Sequence, residues 1–109
     1  MPKRRLYQEE AALNYKNFSM TLGRKIANVR KLKGMSQREL ARLVQVTPSY
    51  ITKIEAGTNN MGTSLEIYYW ICHELHLHLR ELFTFTKYDR QQALAYEHKK
   101  RWIEKYRNM

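Results

Sequence analysis

Apolar residues recur at helical intervals along nearly the whole chain, and small polar residues sit where helices would start. From Thr21 to Lys33, Leu22, Ile26 and Val29 fall at i, i+4 and i+7, one face of a helix, and Gly34 is placed to end it in a left-handed cap. A shorter, weakly patterned helix is expected over Leu6 to Tyr15. Ser36 and Glu39 form a capping box, so a second helix starts there, with Leu40, Ala41 and Val44 on its inner face. Thr47-Pro48 supplies a cap followed by proline at the first helical position. Ile51 and Ile54 are the inward pair of that third helix, and Gly57 ends it. Thr58 to Gly62 reads as a polar loop. Thr63 and Glu66 repeat the capping-box pattern, after which Leu65, Tyr68, Cys72 and Leu75 step at helical spacing. A helical turn is expected over Leu79 to Phe83. Phe83-Thr84-Phe85-Thr86 alternates with period two and predicts a short extended segment. Asp89 to Arg107 reads as a basic amphipathic helix with Ala95, Trp102 and Tyr106 on one side. The pattern predicts an all-α chain, without repeats or low-complexity tracts.

Composition narrows the class. The chain has 109 residues, 43% hydrophobic and 28% charged, which suits one folded domain. Its 20 Lys+Arg against 10 Asp+Glu give a formal net charge of +10. A chain this basic expects a polyanionic partner, nucleic acid before an anionic membrane surface. The charge is uneven. Residues 1–35 carry nine Lys/Arg and two Glu, residues 36–83 four and five, and residues 84–109 seven against three acids. A nearly neutral middle thus lies between two basic ends, as expected of a reader flanked by electrostatic arms. The single cysteine, Cys72, excludes an internal disulfide and a cysteine-based zinc site. It fits a reducing compartment, and a cytoplasmic location is expected. No apolar run approaches the ~18 residues of a membrane span. Basic Met1 to Leu6 has no apolar stretch behind it, so a signal peptide is not expected.

Two short helices with a turn of about three residues between Val44 and Thr47 have the layout of a helix-turn-helix. The chemistry of the second suits DNA, because a B-form major groove admits one α-helix whose N-terminal residues meet base edges. Its outer face offers Ser49, Tyr50, Thr52 and Lys53: hydrogen-bonding groups, one flexible cation and no acid. The matching string runs Ser36-Gln37-Arg38-Glu39-Leu40-Ala41-Arg42-Leu43-Val44, then Val46-Thr47-Pro48-Ser49-Tyr50-Ile51-Thr52-Lys53-Ile54-Glu55-Ala56-Gly57, and closes with Leu79-Arg80-Glu81-Leu82-Phe83. On these residues the stretch from Leu22 to Phe83, about 62 of 109, resembles the Cro/C1-type (XRE-family) helix-turn-helix domain of bacterial and phage repressors.

The resemblance implies a five-helix, lambda-repressor-like bundle, here with a basic N-terminal arm and an extra C-terminal helix. Three segments are expected: a basic N-terminal extension (1–20), the helix-turn-helix domain (21–83) and a basic C-terminal helical extension (84–109). Carried over by position, Gln37 would reach a phosphate or a base edge, and Pro48, Ser49 and Lys53 occupy the main base-reading positions. Thr47, Tyr50 and Thr52 are better placed for phosphate, sugar or a thymine methyl. Lys53 most naturally donates to guanine O6 and N7. Lys3, Arg4, Arg5, Arg38, Lys99, Lys100 and Arg101 are candidate contacts to the DNA backbone. Arg30 and Glu55 occupy positions that pair in the family across the first and third helices, and a structural ion pair is expected. The chain departs from the family pattern at Gln45, where a glycine is usual. It departs again in the longer loop before Thr63, and at Pro48, whose side chain cannot hydrogen-bond.

The remaining features have plainer readings. His73, His76 and His78 lie near Cys72, but the three rings are not expected to converge on a metal; histidines at a helix end suit its free carbonyls. Tyr68 is expected in the core. Tyr69 and Trp70 are expected partly exposed, against one of the terminal extensions. The apolar side of the last helix, with Trp102, Ile103 and Tyr106, is expected against the chain's own domain or a second subunit rather than a membrane. Adjacent Glu9 and Glu10 do not make a catalytic pair, and nothing else in the chain assembles one, so no enzyme and no cofactor is expected. The leading function is sequence-specific binding of double-stranded DNA by a homodimeric transcriptional regulator, most naturally a repressor acting by occupancy. One alternative is an accessory DNA-binding protein of a plasmid or other mobile element. Another is an antitoxin that holds a protein partner through its C-terminal segment.

Overall fold

The computed structural model describes residues 2–58 and 63–107, with side chains described from residue 16 onward. Six helices and no strand occur among the described residues: α1 (Pro2–Leu32), α2 (Gln37–Val44), α3 (Pro48–Ala56), α4 (Leu65–Leu75), α5 (Leu79–Leu82) and α6 (Lys87–Arg107). The fold is the expected all-α helix-turn-helix bundle with an additional C-terminal helix.

The starts of α2, α3 and α4 are set by side-chain oxygens on orphan backbone donors. Ser36 Oγ accepts from the Glu39 N–H at 3.0 Å, Thr47 Oγ1 from the Tyr50 N–H at 3.2 Å, and Ser64 Oγ from the Ile67 N–H at 3.3 Å. The fourth helix therefore starts one residue later than expected: Ser64, not Thr63, is its cap. Its inner face carries Tyr68, Ile71, Cys72 and Leu75, all buried, while Leu65, the first residue of the helix, is exposed.

The core joins Leu22 and Ile26 of α1, Leu40, Ala41 and Val44 of α2, Ile51 and Ile54 of α3, the inner face of α4, and Leu82 of α5. Burial pushes the Cys72 thiol up to about 11, with the Glu81 carboxylate adding to the shift.

The N-terminal region differs from expectation. Instead of separate helices over Leu6 to Tyr15 and Thr21 to Lys33, α1 runs unbroken for 31 residues, about 46 Å at helical rise. No glycine or proline lies between Tyr15 and Leu22, and the Thr21 hydroxyl donates to the Asn17 carbonyl at 2.8 Å, so that side chain is satisfied without leaving the helix. The basic N-terminal arm is thus helical.

The extended segment expected at Phe83 to Thr86 is an irregular connection, with no neighbouring strand to pair with. Its aromatic rings fix it instead. Phe83 stacks on Phe18 at 6.2 Å and meets Tyr68 edge-on at 5.8 Å, while Phe85 lies 5.2 Å from Phe18.

α6 begins at Lys87, two residues before the expected start. Thr86 and Asp89 bond reciprocally, the Thr86 N–H to Asp89 Oδ2 at 2.9 Å and the Asp89 N–H to Thr86 Oγ1 at 3.2 Å. The face of α6 turned to α1 carries Asp89, Ala93 and Tyr96, not Ala95, Trp102 and Tyr106. Lys25 of α1 donates to Asp89 at 3.2 Å and to the Thr84 carbonyl at 2.6 Å. Trp102 remains 61% exposed and Tyr106 50%, so the chain's own domain does not cover that stripe.

Candidate nucleic-acid interface

The geometry between α2 and α3 follows from one left-handed residue. Gln45 has φ 66° and ψ 43°, and the next N–H, of Val46, reaches back to the Ala41 carbonyl at 2.9 Å. The chain turns sharply enough for Thr47 to cap α3 two residues later. Leu40, Ala41 and Val44 pack on Ile51 and Ile54, which fixes α3 against α2 and turns its other side outward.

On that outer side Thr47, Pro48, Ser49, Thr52 and Lys53 are exposed and Tyr50 is half-buried. The expected reading residues therefore share one accessible face, with Lys53 on the turn after Ser49. Arg38 is also exposed. It borders a shallow concavity with Ser36, Glu39, Arg42, Val46 and Pro48, where the start of α2 meets the start of α3. Arg42, four residues after Arg38 and also exposed, was not singled out from the sequence; the i, i+4 spacing of two arginines was the available signal.

Gln37 is held rather than free. Its Nε2 donates to Glu55 Oε1 at 2.9 Å, and its Oε1 accepts from the Thr52 hydroxyl at 3.0 Å. Glu55, 1% exposed, also takes a two-pronged bond from Arg30: Nε to Oε2 at 2.7 Å and Nη2 to Oε1 at 2.9 Å. Arg30 Nη1 reaches the Met35 carbonyl at 2.7 Å, so the buried guanidinium is bound on several sides.

The Glu55 main chain is gripped as well. Arg24 donates to the Glu55 carbonyl through Nε at 3.0 Å and through Nη2, which covers a free carbonyl at the end of α3. Tyr96 of α6 lies over the Arg24 guanidinium at 3.9 Å. Burial lowers the Arg24 pKa, while Tyr96 and Glu55 pull it back up.

Gly23 lets α1 and α3 approach this closely: a methyl group there would stand 2.6 Å from the Glu55 carbonyl oxygen. Neither Arg24 nor Gly23 was picked out from the sequence, since each acts through a contact 31 residues away or more.

The basic candidates on α6, Lys99, Lys100 and Arg101, are exposed; Arg101 pairs with Glu97 at 2.8 Å. Lys100 and Arg101 border a depression with Lys16, Tyr96 and Ala56, the last residue of α3. The side chains of Lys3, Arg4 and Arg5 lie outside the described residues. His76 ends α4 in a left-handed conformation, its N–H on the Cys72 and His73 carbonyls, and His78 precedes α5. Tyr69 and Trp70 are exposed and meet each other at 5.3 Å, with His73 5.7 Å from Trp70. Among the described residues no three His, Cys, Asp or Glu side chains are grouped to hold a metal.

Two short packed helices, a tight turn and a polar outer face on the second define a helix-turn-helix DNA-binding domain. The helix-turn-helix family profile matches residues 26–82, over half of the chain, and the chain belongs to this family, of the Cro/C1 type. Two crystal structures of the clp gene regulator ClgR from Corynebacterium glutamicum are similar. One is 26% identical with a TM-score of 0.56, covering 72% of this chain and 88% of that one. The other is 27% identical with a TM-score of 0.59, covering 80% and 90%. No curated protein matches the chain.

Proposed function

We infer that the protein regulates transcription by binding double-stranded DNA, with α3 in the major groove. Pro48, Ser49 and Lys53 read bases, Gln37 reaches a phosphate or a base edge, and Thr47, Tyr50 and Thr52 serve phosphates, sugars or a thymine methyl. The observation that carries this reading is the accessible face of α3, which is polar, free of acids from Pro48 to Lys53, and fixed by the core behind it. The similarity to a gene regulator supports the regulatory role. Repression by occupancy is the simplest mechanism: two copies place their α3 helices in successive grooves about 34 Å apart and exclude the polymerase. The basic ends, Lys3, Arg4, Arg5, Lys99, Lys100 and Arg101 with Arg38, add phosphate contacts that strengthen binding to any sequence.

A second reading concerns α6. Its stripe of Trp102, Ile103 and Tyr106 is uncovered, with the Trp102 and Tyr106 rings 4.7 Å apart. A second copy of the chain covers this stripe in the proposed homodimer. A different protein partner there, as in an antitoxin, is the alternative.

Two substitutions test the division between reader and arms. Lys53→Ala should cost about 1–3 kcal/mol on the preferred duplex and relax its base preference. Lys100→Ala should weaken every duplex alike and lower the salt slope by about 1. Identical behaviour of the two variants, measured by fluorescence anisotropy across salt, would refute the division.

A further inference from the structure

Behind the reading face runs a chain of hydrogen bonds whose direction is forced. Glu55 Oε1 takes both Arg30 Nη2 and one atom of the Gln37 amide, each at 2.9 Å. A carboxylate oxygen can only accept, so the amide must present its NH₂ there. The reversed amide would set an oxygen against the carboxylate and lose a bond in a buried place. With the NH₂ turned to Glu55, the amide oxygen faces Thr52, whose hydroxyl donates to it at 3.0 Å and shares its proton with the Pro48 carbonyl at 3.1 Å. A glutamine amide has two N–H donors and two lone pairs. This network uses one of each and leaves one of each. Gln37 is half-buried at the start of α2, beside exposed Thr52 of α3, so the spare pair lies at the edge of the accessible face.

The geometry points to Glu55 as a positioning residue for base specificity: its carboxylate locks the Gln37 amide in one orientation, so that donor and acceptor meet the duplex in a fixed order. The inference rests on the reading that this face binds duplex DNA. An adenine edge offers one acceptor, N7, and one donor, the N6 amino group, and matches a locked amide. A guanine edge offers two acceptors, N7 and O6, and a locked amide cannot serve both. Phosphates accept only and would draw on the spare N–H alone. Glu55 itself touches no DNA; it acts through Gln37, and Arg30 holds the carboxylate in place.

Two measurements test this, one of them without DNA. In ¹⁵N-labelled free protein, the Gln37 side-chain signals are assigned by their loss in Gln37→Ala. A locked amide gives two widely separated proton signals, one moved downfield and slow to exchange, and Glu55→Gln returns them toward exposed-glutamine positions. Signals already at exposed positions in the wild type overturn the lock, whatever the protein binds.

The second measurement selects bound duplexes from a random pool with wild type, Gln37→Ala, Glu55→Gln and the double variant, each checked for cooperative melting. Glu55→Gln should flatten preference at the same base position as Gln37→Ala, by about tenfold, and the double variant should be no flatter than Gln37→Ala. Uniform weakening by Glu55→Gln with that preference intact would mean that Glu55 only supports the fold. If Glu55→Gln does not melt cooperatively, Glu55→Asp, which withdraws the carboxylate by one methylene, replaces it with the same expectation. A wild-type pool without enrichment would bring down the DNA reading instead, and the amide signals alone then decide the lock.

Discussion

Gln45 carries the turn in the left-handed region, at a cost of roughly 1 kcal/mol for a residue with a side chain. Gln45→Gly should therefore raise stability by about 0.5–1 kcal/mol in denaturant unfolding, with little change in DNA affinity. Gly23 is the opposite case. Its Cβ would press on the backbone of α3, so Gly23→Ala should destabilise by about 1–3 kcal/mol, read from the same experiment. The pairing positions of Arg30 and Glu55 were legible through the family string, because a buried fork between two helices needs those residue types. The bonds of Gln37 to Glu55 and Thr52 were not. They depend on where α2 sets its first turn against α3, and no spacing within one helix encodes that.

Local capping rules located α2 and α3, because Ser36, Thr47 and Pro48 act on their own neighbours. They misplaced the start of α4 by one residue, where Thr63 and Ser64 compete, and periodicity put Leu65 in the core, although it sits at the exposed first position of the helix. They also missed the start of α6, where the box closes with an aspartate rather than a glutamate. Periodicity misjudged the inward face of α6, because that face is held by Asp89, small Ala93 and Tyr96 rather than by its largest apolar residues. Asp89 ties this element to α1. Burial would raise its carboxyl, but the Thr86 N–H, the Lys25 ammonium and the Thr86 hydroxyl together hold it below the usual carboxylate range. A carboxyl lowered on folding stabilises above its unfolded value, about 3.9, and loses that contribution as pH falls through its folded value. Asp89→Ala should accordingly cost about 0.5–2 kcal/mol at pH 7. In thermal melts the gap between variant and wild type should narrow as the pH drops below about 4. A gap that is constant with pH would assign the loss to packing alone.

Over the whole molecule, a core built on α1 to α5 displays α3, and a basic helix leans on α1 with its aromatic stripe uncovered. The expected division at residues 20 and 21 falls inside α1, so the proposed N-terminal extension is a continuation of that helix rather than a separate body. Arg24 bonds the end of α3 and carries Tyr96 of α6 over its guanidinium, which joins the C-terminal helix to α3 through one side chain. The proposed dimer is checked by sedimentation at ~100 μM protein, where a monomer with single-site DNA binding would reject it.

In the proposed function a fixed reading face on α3, and not the net charge of +10, selects the DNA. The most direct test is selection of bound sequences from a random duplex pool by the wild-type protein at ~150 mM salt, near physiological ionic strength. The expected result is an enriched palindrome whose half-sites lie about one helical turn apart. A pool that stays random, with binding that fades as salt rises, would contradict it.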